Sequence, residues 1–277
     1  MFEIQRRAAK SGARLATFGR LHYVRSRVLV RLLCLLILGQ LSLSVAIAQK
    51  AVRSPSDTIR QFYKAMHEKR FKEAFAMSVY KNAVEGLTPQ QFEDLKPDFD
   101  NMAAAIPEKV EISGEQISGD VATVFVKDPS SDDPAAAPQP APLIRVNGEW
   151  IIGNEESQAL VNKAGKDFFF NLRITTHQND VTDMLQKISV AELVYAQQHN
   201  GLYGDLAALI GAGLIPKDIE GTETTGYHFK VNLGKDAKTF TANAEPAQYG
   251  RTGKLSFFLD HEGIRSADNA GKPIKGH

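Results

Sequence analysis

Cysteine is nearly missing from this chain: Cys34 is the one thiol among 277 residues. An intrachain disulfide is therefore excluded, and if the start of the chain that carries Cys34 is removed, a thiolate metal site and a cysteine–histidine nucleophile are excluded too, so the fold has to hold by packing. Also lacking is an uninterrupted run of ~20 apolar residues, the length a membrane helix needs. The longest apolar stretch, Leu32 to Leu43, is broken by Gln40 and Ser42. No HxH or HExxH spacing occurs, no Gly-rich phosphate loop and no Ser-centred strand-to-helix elbow, so the common metal-dependent, nucleotide-binding and serine-nucleophile classes have no motif here.

Acid is scarce at the start of the chain, where Glu3 stands against Arg6, Arg7, Lys10, Arg14, Arg20, Arg25, Arg27 and Arg31. A basic segment, a short apolar segment and the small-x-small sequence Ala46-Ile47-Ala48 before Gln49 have the order of a secretory signal. Residues 1–48 are expected to be a signal peptide cleaved between Ala48 and Gln49, with contact to the membrane only through this segment if it stays uncleaved. Leu33 occupies the place where a lipoprotein cysteine needs a small neighbour, and Arg6-Arg7 lies too far from the apolar segment for a twin-arginine signal, so export by the general route is the expectation. Removing residues 1–48 takes eight basic and one acidic residue from 33 and 32 and leaves 25 against 31, a net charge of −6. A mildly acidic mature chain is not built to bind phosphate backbones, which argues against nucleic acid as a partner.

The mature length, about 230 residues, accommodates two modest domains. Ser54-Pro55 opens a helix whose Ile59, Phe62, Tyr63 and Met66 recur at helical spacing. A short helix with Phe71, Ala74 and Phe75 comes next. Thr88-Pro89-Gln90-Gln91 then has the form of a capping box with proline at the first helical position, with Pro97 expected to bend or end that helix. Two hairpins are predicted, around Gly119-Asp120 and around Asn147-Gly148. Between them residues 129–142, PSSDDPAAAPQPAP, carry no large apolar side chain and are expected to form a mobile surface loop.

The segment DTIRQFYKAMHEKRFKEAFAM, with helices preceding a sheet that ends near Trp150, resembles the nuclear transport factor 2-like superfamily. The resemblance implies a cone-like α+β domain of helices and a curved antiparallel sheet over residues 50–173. That family includes isomerases, dehydratases, ligand carriers and protein-binding modules. Tyr63, His67, Tyr80, Asp98 and Asp100 are the polar residues that could line such a cone. An enzymatic use would need an Asp base and a Tyr oxyanion donor within reach of one substrate atom.

Beyond Glu155 a helical stretch reaches Phe168-Phe169-Phe170, expected to pack on the first domain's sheet. A polar break THQND follows, and then a helix from Asp180 to Gln198 with Val181, Met184, Leu185, Ile188, Ala191 and Tyr195 on one stripe, closed by Asn200-Gly201. The turns Arg251-Thr252-Gly253 and Asp260-His261-Glu262-Gly263 bracket the strand LSFFL, and Phe257 and Phe258 are expected to close one core with Tyr195. Ala191-Glu192-x-x-Tyr195, Tyr203 with Leu206 and Leu209, Gly213 to Ile215, Gly226-Tyr227-x-Phe229, Ala244-x-Pro246 and Phe257-Phe258-x-Asp260-x-x-Gly263-Ile264-Arg265 together resemble the globular domain of type IV pilins and secretion-system pseudopilins. That resemblance implies a pilin-like, helix-on-antiparallel-sheet domain over 174–277. The apolar N-terminal helix that builds a pilus fibre is replaced here by HQNDVTDMLQKISV, which is polar, so a monomer or small oligomer is expected. Some pseudopilins hold calcium near their last strands, and that resemblance makes Asp260 and Glu262, beside His261, the candidates for a metal; the expectation is no metal, no cofactor and no catalytic residue.

The sequence thus leads to an α+β, two-domain bacterial protein exported to the periplasm or cell surface, binding a protein partner or small ligand without catalysis. An exported small-molecule isomerase or hydrolase with a pocket in the first domain is the alternative.

Overall fold

A computed structural model describes residues 53–107, 110–127 and 137–275. The expected signal and its cleavage site, Ala48 and Gln49, lie outside the described residues. The fold is α+β, with two four-stranded antiparallel sheets, each a simple meander.

The first unit begins with α1 (Pro55–His67), α2 (Phe71–Ala76), α3 (Lys81–Glu85) and α4 (Pro89–Ala104). Local chemistry accounts for the helix starts: the Ser54 side chain accepts from the Asp57 N–H ahead of Pro55, and Thr88 and Gln91 form a reciprocal capping box ahead of Pro89. Pro97 does not end α4. The helix continues to Ala104 because Phe99, Met102 and Ala103 beyond it are buried, and their packing outweighs the backbone bond that proline removes.

The sheet follows as β1 (Ile112–Ser118), β2 (Val121–Val126), β3 (Gln139–Val146) and β4 (Glu149–Ile152). Asn147 and Gly148 both have positive φ, +52° and +80°, as a type I′ hairpin demands. Of the expected loop 129–142, residues 129–136 lie outside the described residues. Its end, from Gln139, belongs to β3. Pro140 and Pro142 fit there because their main-chain groups face away from β2: the Pro142 carbonyl accepts from the Gly153 N–H on the β4 side, and β4 itself pairs only with Leu143–Val146. The proline half of β3 is therefore an edge, where a missing N–H costs nothing. Helices and sheet enclose a core of Ile59, Phe62, Phe75, Leu95, Phe99, Leu143 and Ile152, all at most 1% exposed.

After α5 (Glu155–Ala164), Gly165 turns the chain with φ +54° into a single 3-10 turn and then into α6 (Phe168–Gln198). At 31 residues this helix is roughly 46 Å long. The polar THQND stretch does not interrupt it. Its side chains are engaged by the second sheet: His177 Nδ1–H donates to the Thr252 carbonyl, and Gln178 Oε1 accepts from the Lys254 and Leu255 N–H groups. One helix thus supplies Phe169 and Phe170 to the first core and Val181, Leu185 and Ile188 to the second.

The second unit adds α7 (Leu206–Gly211), a 3-10 turn, β5 (Tyr227–Leu233), β6 (Phe240–Pro246), β7 (Leu255–Asp260) and β8 (Gly263–Asp268). Asn200 and Gly201, both at positive φ, close α6, and the Gly201 N–H bonds back to the Ala196 carbonyl. Phe257 joins the core under α6. Phe258 does not share it: alternation along β7 turns its ring to the other face, where it lies beneath the Arg265 guanidinium at 5.0 Å. No described helix is long and apolar enough to cross a membrane.

Candidate functional site

The five polar residues expected around a cone-shaped pocket occupy four different settings. Tyr63 and Tyr80 are both 5% exposed and belong to the hydrophobic core. The Tyr80 ring packs 5.0 Å from Phe168 and 5.3 Å from Phe169, and burial pushes its hydroxyl well above the usual phenol range. His67 is exposed at the end of α1. Asp100 pairs with Lys69 at 2.6 Å, and Asp98 pairs with Arg173 at 2.6 Å. The space they were expected to line is occupied by aromatic rings: Phe75, Phe99 and Phe169 stand 4.9–5.2 Å apart, centroid to centroid. A depression of about 300 Å³ does exist in this unit, lined by Lys72, Ala76, Lys81, Val84, Glu85 and Leu87, none of them from that set.

At the Asp260 turn the carboxylates are engaged locally. Asp260 Oδ1 accepts from the Glu262 N–H at 2.9 Å, Oδ2 accepts from Arg265, and Glu262 stands 3.8 Å from the same guanidinium. Among the described residues no three His, Cys, Asp or Glu side chains gather as a metal set would.

Two clusters emerge that the sequence did not single out. The first is a joint between α4, α6 and the turn before β7. Arg173, with a side chain 9% exposed, donates Nη1 to Asp94 and Nε and Nη2 to Asp98. Burial works against its charge, but the hydrogen bonds and charges of Asp98 and Asp94 outweigh it and hold the guanidinium above its ordinary value. One turn along, His177 is kept below its ordinary value by burial, against the pull of its Thr252 hydrogen bond. The Phe170 ring lies between two cations, Arg173 at 5.4 Å and Arg251 at 4.2 Å.

The second cluster is a trough in the second unit. Helix α6 sets Val181, Leu185 and Ile188 onto the sheet, which leaves Thr182, Gln186 and Ser189 along its flank. Opposite them Phe257 and Leu259 rise from β7, and their direct neighbours on β8, Ser266 and Ile264, share the same face. Strand β8 extends past the flank of the helix and leaves an open channel of about 480 Å³ with an apolar floor and hydroxyl and amide groups on one wall. Because β8 is the last strand of its sheet among the described residues, every second residue turns its N–H and C=O away from β7. The sequence marked Phe257 as core; the trough itself depends on how far the helix covers the sheet, which no local pattern encodes.

Compared with known protein families, with curated proteins and with solved structures, the chain finds no match.

Proposed function

We propose that this chain is an exported bacterial interaction module without catalytic activity, and that the trough between α6 and β8 takes an extended segment of a protein partner. The observation that carries this reading is the pairing of an edge strand with a channel that has an apolar floor. An added strand would hydrogen-bond to the outward groups of β8, and its alternate side chains would drop toward Ile264, Leu259 and Phe257. Support for export is the arginine-rich start and the Ala46-Ile47-Ala48 sequence. Support for a role without chemistry comes from the first unit, where the rings of Phe75, Phe99 and Phe169 fill the interior and Asp98 is tied to Arg173. We further infer a nuclear transport factor 2-like first domain and a pilin-like second, from the helices-then-meander order and from one long helix laid on a four-stranded meander.

Random extended peptides displayed on phage and selected against residues 49–277 test the proposal. Enriched peptides are expected to perturb the backbone amide signals of Ile264 to Asp268 and to lose binding when their own alternate amides are N-methylated. Ser189→Trp, which fills the trough from the helix side, is expected to abolish the interaction. Peptides that bind equally well after N-methylation, or that shift signals only in the first unit, would overturn it.

A further inference from the structure

Glu192 belongs to neither the trough nor the joint. It sits on the buried face of α6 with no exposed surface, although glutamate is among the residue types least often buried without a partner. Its Oε2 accepts one hydrogen bond, from the Gly204 N–H at 2.9 Å, while its Oε1 is buried with no hydrogen-bond partner. The donor is closely packed: a Cβ on Gly204 would stand 3.1 Å from the Tyr195 ring, tighter than ordinary contact, so glycine favours this close approach of the loop to the helix. Beside Gly204, the Tyr203 ring packs on Phe240 at 4.9 Å and the Tyr203 N–H donates to the Ala237 carbonyl at 2.8 Å. The segment 199–205 is therefore held between helix and sheet, with the carboxyl as its polar tie to the helix.

We propose that Glu192 is a proton-operated latch: its neutral carboxyl keeps segment 199–205 closed on α6, and its ionisation releases that segment and lifts Tyr203 from Phe240. A neutral carboxyl keeps the Gly204 bond and leaves only an uncharged group unpaired, which costs far less than a buried charge. A carboxylate in the same place has one buried oxygen to which no described residue donates, which is the costly arrangement. The charged group that acts on it from the loop is Asp205, whose negative charge opposes ionisation and which is fixed there as the cap of α7, accepting from the Ala208 N–H at 2.8 Å. On the helix the neighbouring ionisable groups are Tyr195 and His199, stacked on one another at 3.8 Å, with the His199 Nδ1–H donating to the Tyr195 carbonyl. The sheet presents the uncharged Phe240 to this loop, and the turn whose Ala237 carbonyl takes the Tyr203 N–H carries Asp236 and Lys238. Burial, opposed by the Gly204 hydrogen bond and reinforced by Asp205, raises the carboxyl to about 7, so the latch works near neutral pH.

Amide hydrogen exchange of Gly204 in residues 49–277, expressed relative to the unstructured rate at each pH, tests the latch. Protection is expected to fall at least tenfold between pH 5 and pH 8.5 in the natural sequence and to stay constant in Glu192→Gln. An equal fall in Glu192→Gln, or no fall in the natural sequence, would overturn the proposal. Should Glu192→Gln fail to fold, direct titration of the Glu192 carboxyl-carbon signal decides: a midpoint near 7 that moves down in Asp205→Asn supports the latch, and a midpoint below 5 ends it.

Discussion

Gly226 shows how much of this structure is decided at single residues. It has φ +67°, and a Cβ there would come within 2.3 Å of His177 Nδ1 and 2.8 Å of the Thr252 Cβ. Gly119 has nearly the same φ, +61°, with open space around it. Gly119→Ala is expected to cost only the left-handed backbone penalty, ~1 kcal/mol, whereas Gly226→Ala adds the displacement of the His177–Thr252 contact and is expected to cost more than about 2 kcal/mol. Urea midpoints of the two variants check the difference. Arg173 is the second such residue. Arg173→Ala leaves Asp94 and Asp98 without their cation, and because both carboxylates stay about one-third exposed the expected loss is roughly 1–3 kcal/mol, below that of a fully buried pair. Arg173→Lys recovers little of it, since an ammonium cannot reach Asp94 and Asp98 as a fork. The pairing was not legible in the sequence: Asp94 and Asp98 lie 79 and 75 residues from Arg173, and no local pattern points across that distance.

At the scale of elements, features that depend on neighbours in the chain were legible. The Thr88 capping box, the Asn147-Gly148 hairpin and the Asn200-Gly201 helix end all form as their local sequences predict. The division of α6 was not. A break at THQND was expected because the stretch is polar, yet its polar groups are used by the turn and strand around Thr252 to Leu255, and none of the five residues is a glycine or proline. Trypsin under native conditions is accordingly expected to leave the Arg173–Ile174 bond intact, and a limited digest resolved by mass should contain no fragment ending at Arg173. Thr176→Pro, which removes a backbone bond from the interior of the helix, is expected to cost ~3 kcal/mol or more. The Phe257–Phe258 pair teaches a different lesson. Strand alternation alone assigns the two rings to opposite faces, so their separation was available from the sequence, and the expectation of one shared core passed over it. The aromatic filling of the first unit was less accessible, because Phe99 and Phe169 meet across seventy positions to close the space where a pocket was expected.

Across the whole molecule, two cores share one helix. Phe257→Ala and Phe99→Ala, in different cores, are each expected to cost ~3–5 kcal/mol and, through α6, to lower the stability of the other unit too. Circular dichroism with a near-ultraviolet probe in each unit should then record coincident melting. Independent transitions would show that the helix does not couple the cores. Stability also follows pH through two groups acting in opposite senses. His177, whose ionisation is depressed in the folded state, contributes stability above pH 6.5 that is lost as pH falls below it. Glu192, raised from 4.5 to about 7, contributes stability that is complete below pH 4.5 and lost as pH rises to about 7. Glu192→Gln is therefore expected to gain roughly 2–3 kcal/mol relative to the natural sequence on going from pH 4.5 to pH 8, read from denaturant midpoints at the two values.

The position of β8 also sets how the protein responds to force. The chain leaves β8 at Asp268, at the open end of the β7–β8 hairpin opposite Leu255. Tension on the C-terminus therefore loads the β8 hydrogen bonds one after another, peeling the strand away, instead of loading the ladder all at once. Pulled from that end, the second unit should unravel at low load in the order β8, β7, β6. The axial hydrogen bonds of α6 are reached only after the sheet lying on it has gone, so the first unit is shielded until late in the extension.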